Sequence, residues 1–308
     1  MSFTKTKDRV WLAYDVFAAW LARRSMPVRK AGYSVFGGVL WLAYAIPQSK
    51  VRETFAALAH HTGAASPRRL FAGYVRGFLR GMNRIEQVRH GRTDAVDAML
   101  SIPDQARLDA LLKESGVVLV IPHNHASLAM GRGLSQRYPL LALVRSTANE
   151  RRAASEWDIY RNLGCEFLDV RVENPATVAR KVLRALADKR VVIGTVDRIR
   201  TAPPEDAPVE ASRDTVRALA FGEAVGIPGW PARFAGRGKA PIIPVASVQT
   251  EDTITAVLGN AVVPNGDLVE TTQAWVSELE AQFRAYPEEW AFALDKYWSR
   301  ALRNSMTR

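Results

Sequence analysis

The 308-residue chain has one cysteine, Cys165, only five histidines, and no continuous apolar run of the roughly 20 residues a bilayer-spanning helix needs. A single thiol excludes an intrachain disulfide framework and suits a reducing compartment. There is no Walker loop, glycine-rich dinucleotide fingerprint, Cys/His metal spacing or internal repeat, so nothing in the sequence points to nucleotide-binding, zinc or solenoid folds. What is present is ordinary globular material: 48% of residues are hydrophobic and 24% charged, enough apolar side chain for a sizeable core.

Acids are scarce in one place. Residues 1–100 carry 16 Lys/Arg against 6 Asp/Glu, whereas residues 101–308 carry 26 against 25, so nearly all of the net charge of +11 lies in the N-terminal third. The same third holds two apolar and aromatic clusters flanked by cations. The first is Trp11, Leu12, Tyr14, Phe17, Trp20 and Leu21; the second is Tyr33, Phe36, Val39, Leu40, Trp41, Leu42 and Tyr44. Asp15 interrupts the first, while Gly37, Gly38 and Pro47 interrupt or end the second, so neither is a span. A pair of interfacial helices fits this pattern, with Trp and Tyr at headgroup level and cations on anionic lipid. Packing of the same helices on the rest of the protein is the alternative. No nucleic-acid motif accompanies the charge, so nucleic acid is not an expected partner. Met1–Arg24 lacks a convincing cleavage pattern and is read as part of the mature protein. The expected organisation is a helical, membrane-associating region over 1–100 and an α/β domain over 101–308, peripheral to the membrane on its cytoplasmic face.

Apolar residues at three- and four-residue steps predict a helix over Ser66–Arg89. From Pro103 onward helices and short β runs alternate. Helices are expected after Asp104, from about Ser127, over Asn149–Leu163 and over Pro175–Ala187; strands are expected at 117–121, 140–144, 167–170 and 191–195. Such alternation implies a largely parallel central sheet flanked by helices, with ligands beyond the carboxyl ends of its strands. Ala202–Ala211, rich in proline and acid, reads as a mobile loop or lid. Strands at 242–248 and 253–258 and helices over Leu268–Arg284 and Glu288–Arg303 complete the chain.

The segment Gly116-Val-Val-Leu-Val-Ile-Pro-His123-Asn-His125-Ala-Ser127-Leu-Ala-Met-Gly131 puts two histidines at the carboxyl end of a buried strand. Histidine titrates near neutrality and can take a proton from an attacking hydroxyl. Capping of the next helix or a bond to a backbone carbonyl would serve equally for a histidine at either position.

The chain resembles the lysophospholipid acyltransferase superfamily, in its branch of lipid A lauroyl and myristoyl acyltransferases and phosphatidylinositol mannoside acyltransferases. The resemblance lies in the strand leading to His123, in Leu143-Val-Arg145 followed by Asn149, in Val191-Val-Ile-Gly-Thr-Val-Asp197-Arg198, in Phe221-Gly-Glu223, in Ala240-Pro-Ile-Ile-Pro-Val245 and in Tyr286-Pro-Glu-Glu-Trp290, in that order. It implies transfer of a fatty acyl chain from a thioester donor, acyl-CoA or acyl carrier protein, to a hydroxyl of a lipid or glycolipid, with histidine as base and no metal or resident cofactor. The family's acid, which follows the histidine after four residues, is absent: the position is Leu128 counting from His123 and Met130 counting from His125. Asn124-His125-Ala-Ser127 resembles the glycerophosphate acyltransferase register, but Gly116, Gly131 and Arg145 favour His123. The resemblance nominates Glu223 first and Asp197 second as the replacement carboxylate. Arg145 and Arg198 are expected at a phosphate, Asn149 and Ser127 at substrate, and Trp230 and Phe234 along an acyl groove. A member that binds lipid or acyl carrier without catalysis, or an enzyme of the same fold with other chemistry, are the rival readings.

Overall fold

In the strand β2 (Val117–Ile121) side chains alternate between two cores. Val118 and Val120 point into one and Val117, Leu119 and Ile121 into the other, and all five residues are buried. A strand apolar on both faces belongs inside a sheet covered by helices on each side, and the computed structural model of the chain, which describes residues 3–205 and 214–306 with the side chains of 3–12 and 151 left aside, has that architecture.

Before β2 come α1 (Phe3–Ala22), α2 (Met26–Ala45), α3 (Lys50–Thr62), α4 (Pro67–Arg89), the short α5 (Asp94–Asp97), β1 (Leu100–Ser101) and α6 (Gln105–Glu114). After it the chain runs α7 (Ser127–Ser135), β3 (Leu140–Val144), α8 (Glu150–Asn162), β4 (Glu166–Asp169), α9 (Pro175–Ala187) and β5 (Val191–Thr195). The main sheet is completed by β9 (Ile242–Gln249) and β10 (Ile254–Leu258) and has the order β1-β10-β9-β2-β5-β3-β4, parallel except where β10 meets β9. The expected α/β class with a largely parallel central sheet is what the chain adopts.

Between β5 and β9 lies an element the alternating pattern did not announce. The strands β6 (Arg200–Thr201), β7 (Thr215–Ala220) and β8 (Glu223–Pro228) form a separate antiparallel sheet, followed by α10 (Trp230–Gly238), β9 (Ile242–Gln249) and β10 (Ile254–Leu258). Ala220 pairs with Glu223 across Phe221 and Gly222, which have φ of 53° and 78°. Two positive φ values make the tight hairpin that matches strand twist. A buried phenylalanine is an unusual occupant, held by ring contacts to His61, Phe283 and Trp290. Of the expected lid, residues 206–211 lie outside the described part of the chain.

The C-terminal helix expected over Glu288–Arg303 is interrupted. After α11 (Leu268–Ala285), two 3-10 turns at Pro287–Glu289 and Ala291–Leu294 precede α12 (Lys296–Asn304). Trp290 is extended and bridges Asn124, while Asp295 caps α12 by accepting from the Tyr297 amide at 2.9 Å. Tertiary pairing with the loop after β2 therefore overrides helix propensity here.

Among the N-terminal helices, α4 begins after a Ser66 cap. Its glycines at 73, 77 and 81 form a stripe against the 286–290 turn and the loop after β2: a Cβ at Gly81 would lie 2.3 Å from the His125 carbonyl oxygen. Trp41 and Tyr44 of α2 pack on Phe71 of α4, with centroids 4.9 and 4.3 Å apart, and Tyr33 is buried. The aromatic side chains of α2 thus largely face inward. The outward stripe is aliphatic: Val35, Val39, Leu42 and Ile46, each at least 59% exposed. Trp11, Leu12 and the cations before them lie outside the described side chains. No helix among the described residues is long and apolar enough to cross a membrane.

Candidate active site

Strands β2 and β5 are neighbours in parallel register, Ile121 opposite Thr195, and the Val196 amide donates to the Ile121 carbonyl at 3.1 Å. Two residues beyond this last rung stand His123 on one strand and Asp197 on the other. The Asp197 carboxylate is wholly buried. One oxygen meets His123 Nδ1; the other accepts from the His123 amide at 2.9 Å and from Trp290 Nε1 at 3.1 Å. Trp298 Nε1 donates to the Asp197 carbonyl at 2.7 Å. The carboxylate at His123 is thus that of Asp197, 74 residues away in sequence, and not that of Glu223.

The His123 ring is fixed on a second side. It stacks on Phe292 with centroids 3.8 Å apart and planes within 1° of parallel. Its carbonyl accepts from the Ala291 amide at 2.8 Å, while the His125 amide donates to the Glu289 carbonyl at 3.0 Å, so residues 123–125 form a short antiparallel rung with 289–291. The imidazole keeps a quarter of its surface exposed, and Nε2 has no hydrogen-bond partner among the described residues. A ring with Nδ1 on a carboxylate and Nε2 open is arranged to accept a proton at Nε2.

His125 has a different setting. It is buried, edge-on to Tyr74 at 4.7 Å and to Phe78 at 5.9 Å, and against Gly77. Burial pushes its pKa down to about 3, against which a bond to the Glu288 backbone works only in part. Below it Glu289, Gln249 and Arg84 form a buried network. Arg84 Nη1 donates to Gln249 Oε1 at 2.7 Å, and Gln249 donates to Glu289 Oε2 at 3.2 Å and to the Gly77 carbonyl at 2.7 Å. Burial pushes the Glu289 carboxyl up to about 7.

The other nominated residues divide in the same way. The Ser127 hydroxyl accepts from the Asn124 amide at 2.8 Å and donates to the Pro122 carbonyl at 2.8 Å, closing the loop that presents His123. Asn149 caps α8, accepting from the Arg152 amide at 3.2 Å. Arg145 and Arg198 are exposed beyond the carboxyl ends of β3 and β5, and Arg198 lies over Phe292 at 5.8 Å. Glu223 is buried at the start of β8 and lines a pocket of about 270 Å³ with Arg200, Tyr297, Arg300 and Asn304. Trp230 packs against Gly194 of β5, where a Cβ would come within 2.8 Å of its ring.

Phe292, Trp290 and Trp298 were not among the nominated residues. Trp290 closes the Tyr286–Trp290 segment quoted above, which was the available signal; nothing local marked the other two.

Over residues 4–299 the chain matches the family model of the bacterial lipid A biosynthesis acyltransferases. It is 26% identical over 282 residues to a phosphatidylinositol mannoside acyltransferase of Mycolicibacterium smegmatis, covering 89% of this chain and 87% of that one. A strand-end histidine with its carboxylate, in a chain matched over nearly its whole length, identifies a member of the bacterial lipid A biosynthesis acyltransferase family, a family of lipid-biosynthetic transferases.

Proposed function

We propose that this protein transfers a fatty acyl chain from a thioester donor to a hydroxyl of a lipid or glycolipid, with His123 as general base and Asp197 as the group that orients it. The single observation that carries this reading is the His123 Nδ1 contact with the buried Asp197 carboxylate. Asp197 stands in for the family's missing acid: it fixes the tautomer with Nε2 unprotonated and stabilises the imidazolium formed as the base works.

In the reaction Nε2 takes the proton of the acceptor hydroxyl as its oxygen attacks the thioester carbonyl. The tetrahedral oxyanion then collapses, the ester bond remains, the C–S bond breaks, and the departing thiolate takes the proton back from Nε2. The positive potential of Arg145 and Arg198 favours the oxyanion and the phosphate groups of the reactants. His125 is held by packing and is assigned no proton. The rival reading of a non-catalytic binder rests on Leu128 and Met130 in place of an acid, and the Asp197 carboxylate beside His123 supports the catalytic reading over it.

The aliphatic stripe of α2, near whose start stand Arg29 and Lys30, the latter paired with Glu251 at 2.8 Å, supports peripheral docking on a membrane; the face we propose is the cytoplasmic one. The test of the reaction is thioester consumption with lauroyl-CoA or lauroyl-acyl carrier protein, with and without a glycolipid acceptor. Acceptor-dependent thiol release, lost in His123→Ala, is expected; acceptor-independent release would make the protein a thioesterase, and no release with any pair would favour the binding-only rival.

A further inference from the structure

A carboxylate taken out of water is held where its hydrogen-bond donors hold it. Among the described residues the Asp197 carboxylate has three. Two belong to His123, the backbone amide at 2.9 Å and ring Nδ1, and the third is Trp290 Nε1 at 3.1 Å, on the oxygen that also takes the amide. The indole is therefore the donor that ties this side chain to something other than the histidine it faces. An indole N–H donates and never accepts, so it meets only an unprotonated oxygen. A hydroxyl in its place could reverse the bond; Trp290 cannot.

Packing leaves that N–H no second choice of partner. Trp290 is wholly buried, extended between two 3-10 turns and bridged to Asn124. Its ring stacks on Phe283 with centroids 3.9 Å apart and meets Trp298 edge-on at 4.9 Å. The next two residues reach the other half of the pair: the Ala291 amide donates to the His123 carbonyl at 2.8 Å, and Phe292 lies flat on the imidazole. Three consecutive residues thus hold an acid from the end of β5 and a base from the end of β2. Trp275 provides the contrast. It is equally buried in the same core, but its Nε1 has no hydrogen-bond partner among the described residues, so its ring acts by packing alone.

We propose that Trp290 is a positioning residue of the acyl-transfer site: its donation to one Asp197 oxygen turns the carboxylate so that the other meets His123 Nδ1, which leaves Nε2 unprotonated and open. The terminal torsion of an aspartate is soft, so a carboxylate deprived of this donor can rotate, with the His123 amide as its remaining backbone anchor. The imidazole then loses a fixed partner. Only the reaction in which the pair works rests on the acyl-transfer reading; the geometry that Trp290 imposes on the pair does not.

The experiment removes the indole N–H and keeps the ring. β-(3-Benzothienyl)alanine, with sulfur where the N–H stood, replaces Trp290 in the whole protein or, as the control, Trp275. With lauroyl-CoA and a glycolipid acceptor, the replacement of Trp290 should lower kcat at least about tenfold and leave KM within about threefold of wild type, as expected for a lost hydrogen bond to a charged group that acts through the base. The replacement of Trp275 should leave both unchanged. In an Asp197→Asn background the replacement of Trp290 should cost less than about threefold, because the carboxylate it positions is gone. Melting temperatures check that each variant is folded. Independently of turnover, the low-field Nδ1–H proton resonance of His123, identified by its loss in His123→Ala, should move when Trp290 is replaced and stay in place when Trp275 is. An unmoved resonance, an unchanged kcat, equal losses at the two positions, or the same fold-loss in the Asp197→Asn background would overturn the proposal. A wild type with no acceptor-dependent turnover, whose His123 resonance still moves on replacement of Trp290, would overturn the acyl-transfer reading and leave the positioning of the pair by Trp290 standing.

Discussion

His123 and His125 are two residues apart in one loop, yet they sit in different regions with opposite physical demands. At the carboxyl edge of the sheet His123 has a buried carboxylate on Nδ1, an aromatic face beneath it and an open Nε2. In the seam between α4 and the 286–290 turn His125 is buried among ring edges and glycines. The rung between 123–125 and 289–291 anchors both residues, His123 through its carbonyl and His125 through its amide, and their rings leave it into these two different surroundings. A histidine becomes a base when one nitrogen is oriented and the other exposed; without solvent or a carboxylate it is packing material.

The sharpest way to break this contrast is to remove each ring. His123→Ala should lower turnover by about 100- to 10,000-fold per folded molecule, with a loss of stability limited to the Asp197 oxygen left without its ring partner, about 1–3 kcal/mol. For His125→Ala we expect the converse: a loss of about 2–4 kcal/mol of stability from the emptied volume, with less than a tenfold change in turnover per folded molecule. Steady-state kinetics and denaturant unfolding on the same samples decide the matter, and a reversed pattern would move the base to His125.

The seam can also be tested from the helix side. Gly81→Ala would drive a methyl into the His125 backbone, and overpacking of this kind costs about 1–3 kcal/mol. Urea unfolding should show it, whereas Gly38→Ala, which meets nothing within 4 Å, should be neutral or slightly stabilising.

A similar division of exposed and packed side chains runs along α2. Replacing Val39 and Leu42 with Glu on the outward stripe should weaken co-sedimentation with anionic vesicles by roughly tenfold or more, since each buried aliphatic side chain contributes about 1.5–3 kcal/mol. Equal binding by the variant would return these helices to a purely structural role.

The smallest effect concerns pH. Glu289, raised from 4.5 to about 7, keeps a proton in the folded state that the unfolded chain has lost, so its contribution falls as pH rises from 4.5 to 7. His125, lowered from 6.5 to about 3, acts in the opposite sense: the unfolded chain takes up a proton first, and stability falls as pH drops from 6.5 towards 3. Glu289→Gln should therefore steepen the rise of melting temperature with pH between 4.5 and 6.5, a change readable in thermal melts across that range.

Much of the sheet was legible because its strands are apolar on both faces and its helices begin at cap residues: the expected 140–144, 175–187 and 191–195 segments are the observed ones. The hairpin around Phe221-Gly222 was not, since its turn lacks the usual Asn-Gly or Asp-Gly signature. That omission also explains the preference for Glu223. As a strand end of the main sheet it would have faced His123, but as the first residue of β8 it belongs to another sheet. The Asp197 contact was half legible: the sequence places both residues at strand ends, but only the pairing of β2 with β5 makes those ends neighbours. Phe292 was hidden because the Glu288–Arg303 stretch reads as continuous helix, and its break depends on a partner 166 residues earlier, Asn124 opposite Trp290.

The central claim is that Asp197 and His123 act as one unit. It is tested most directly by turnover of wild type, His123→Ala, Asp197→Asn and the double variant under one set of substrate conditions. Asp197→Asn should lose at least about 100-fold and the double variant should be no slower than His123→Ala alone, because residues of one catalytic unit are not additive. A wild-type rate for Asp197→Asn, or losses that multiply in the double variant, would contradict it.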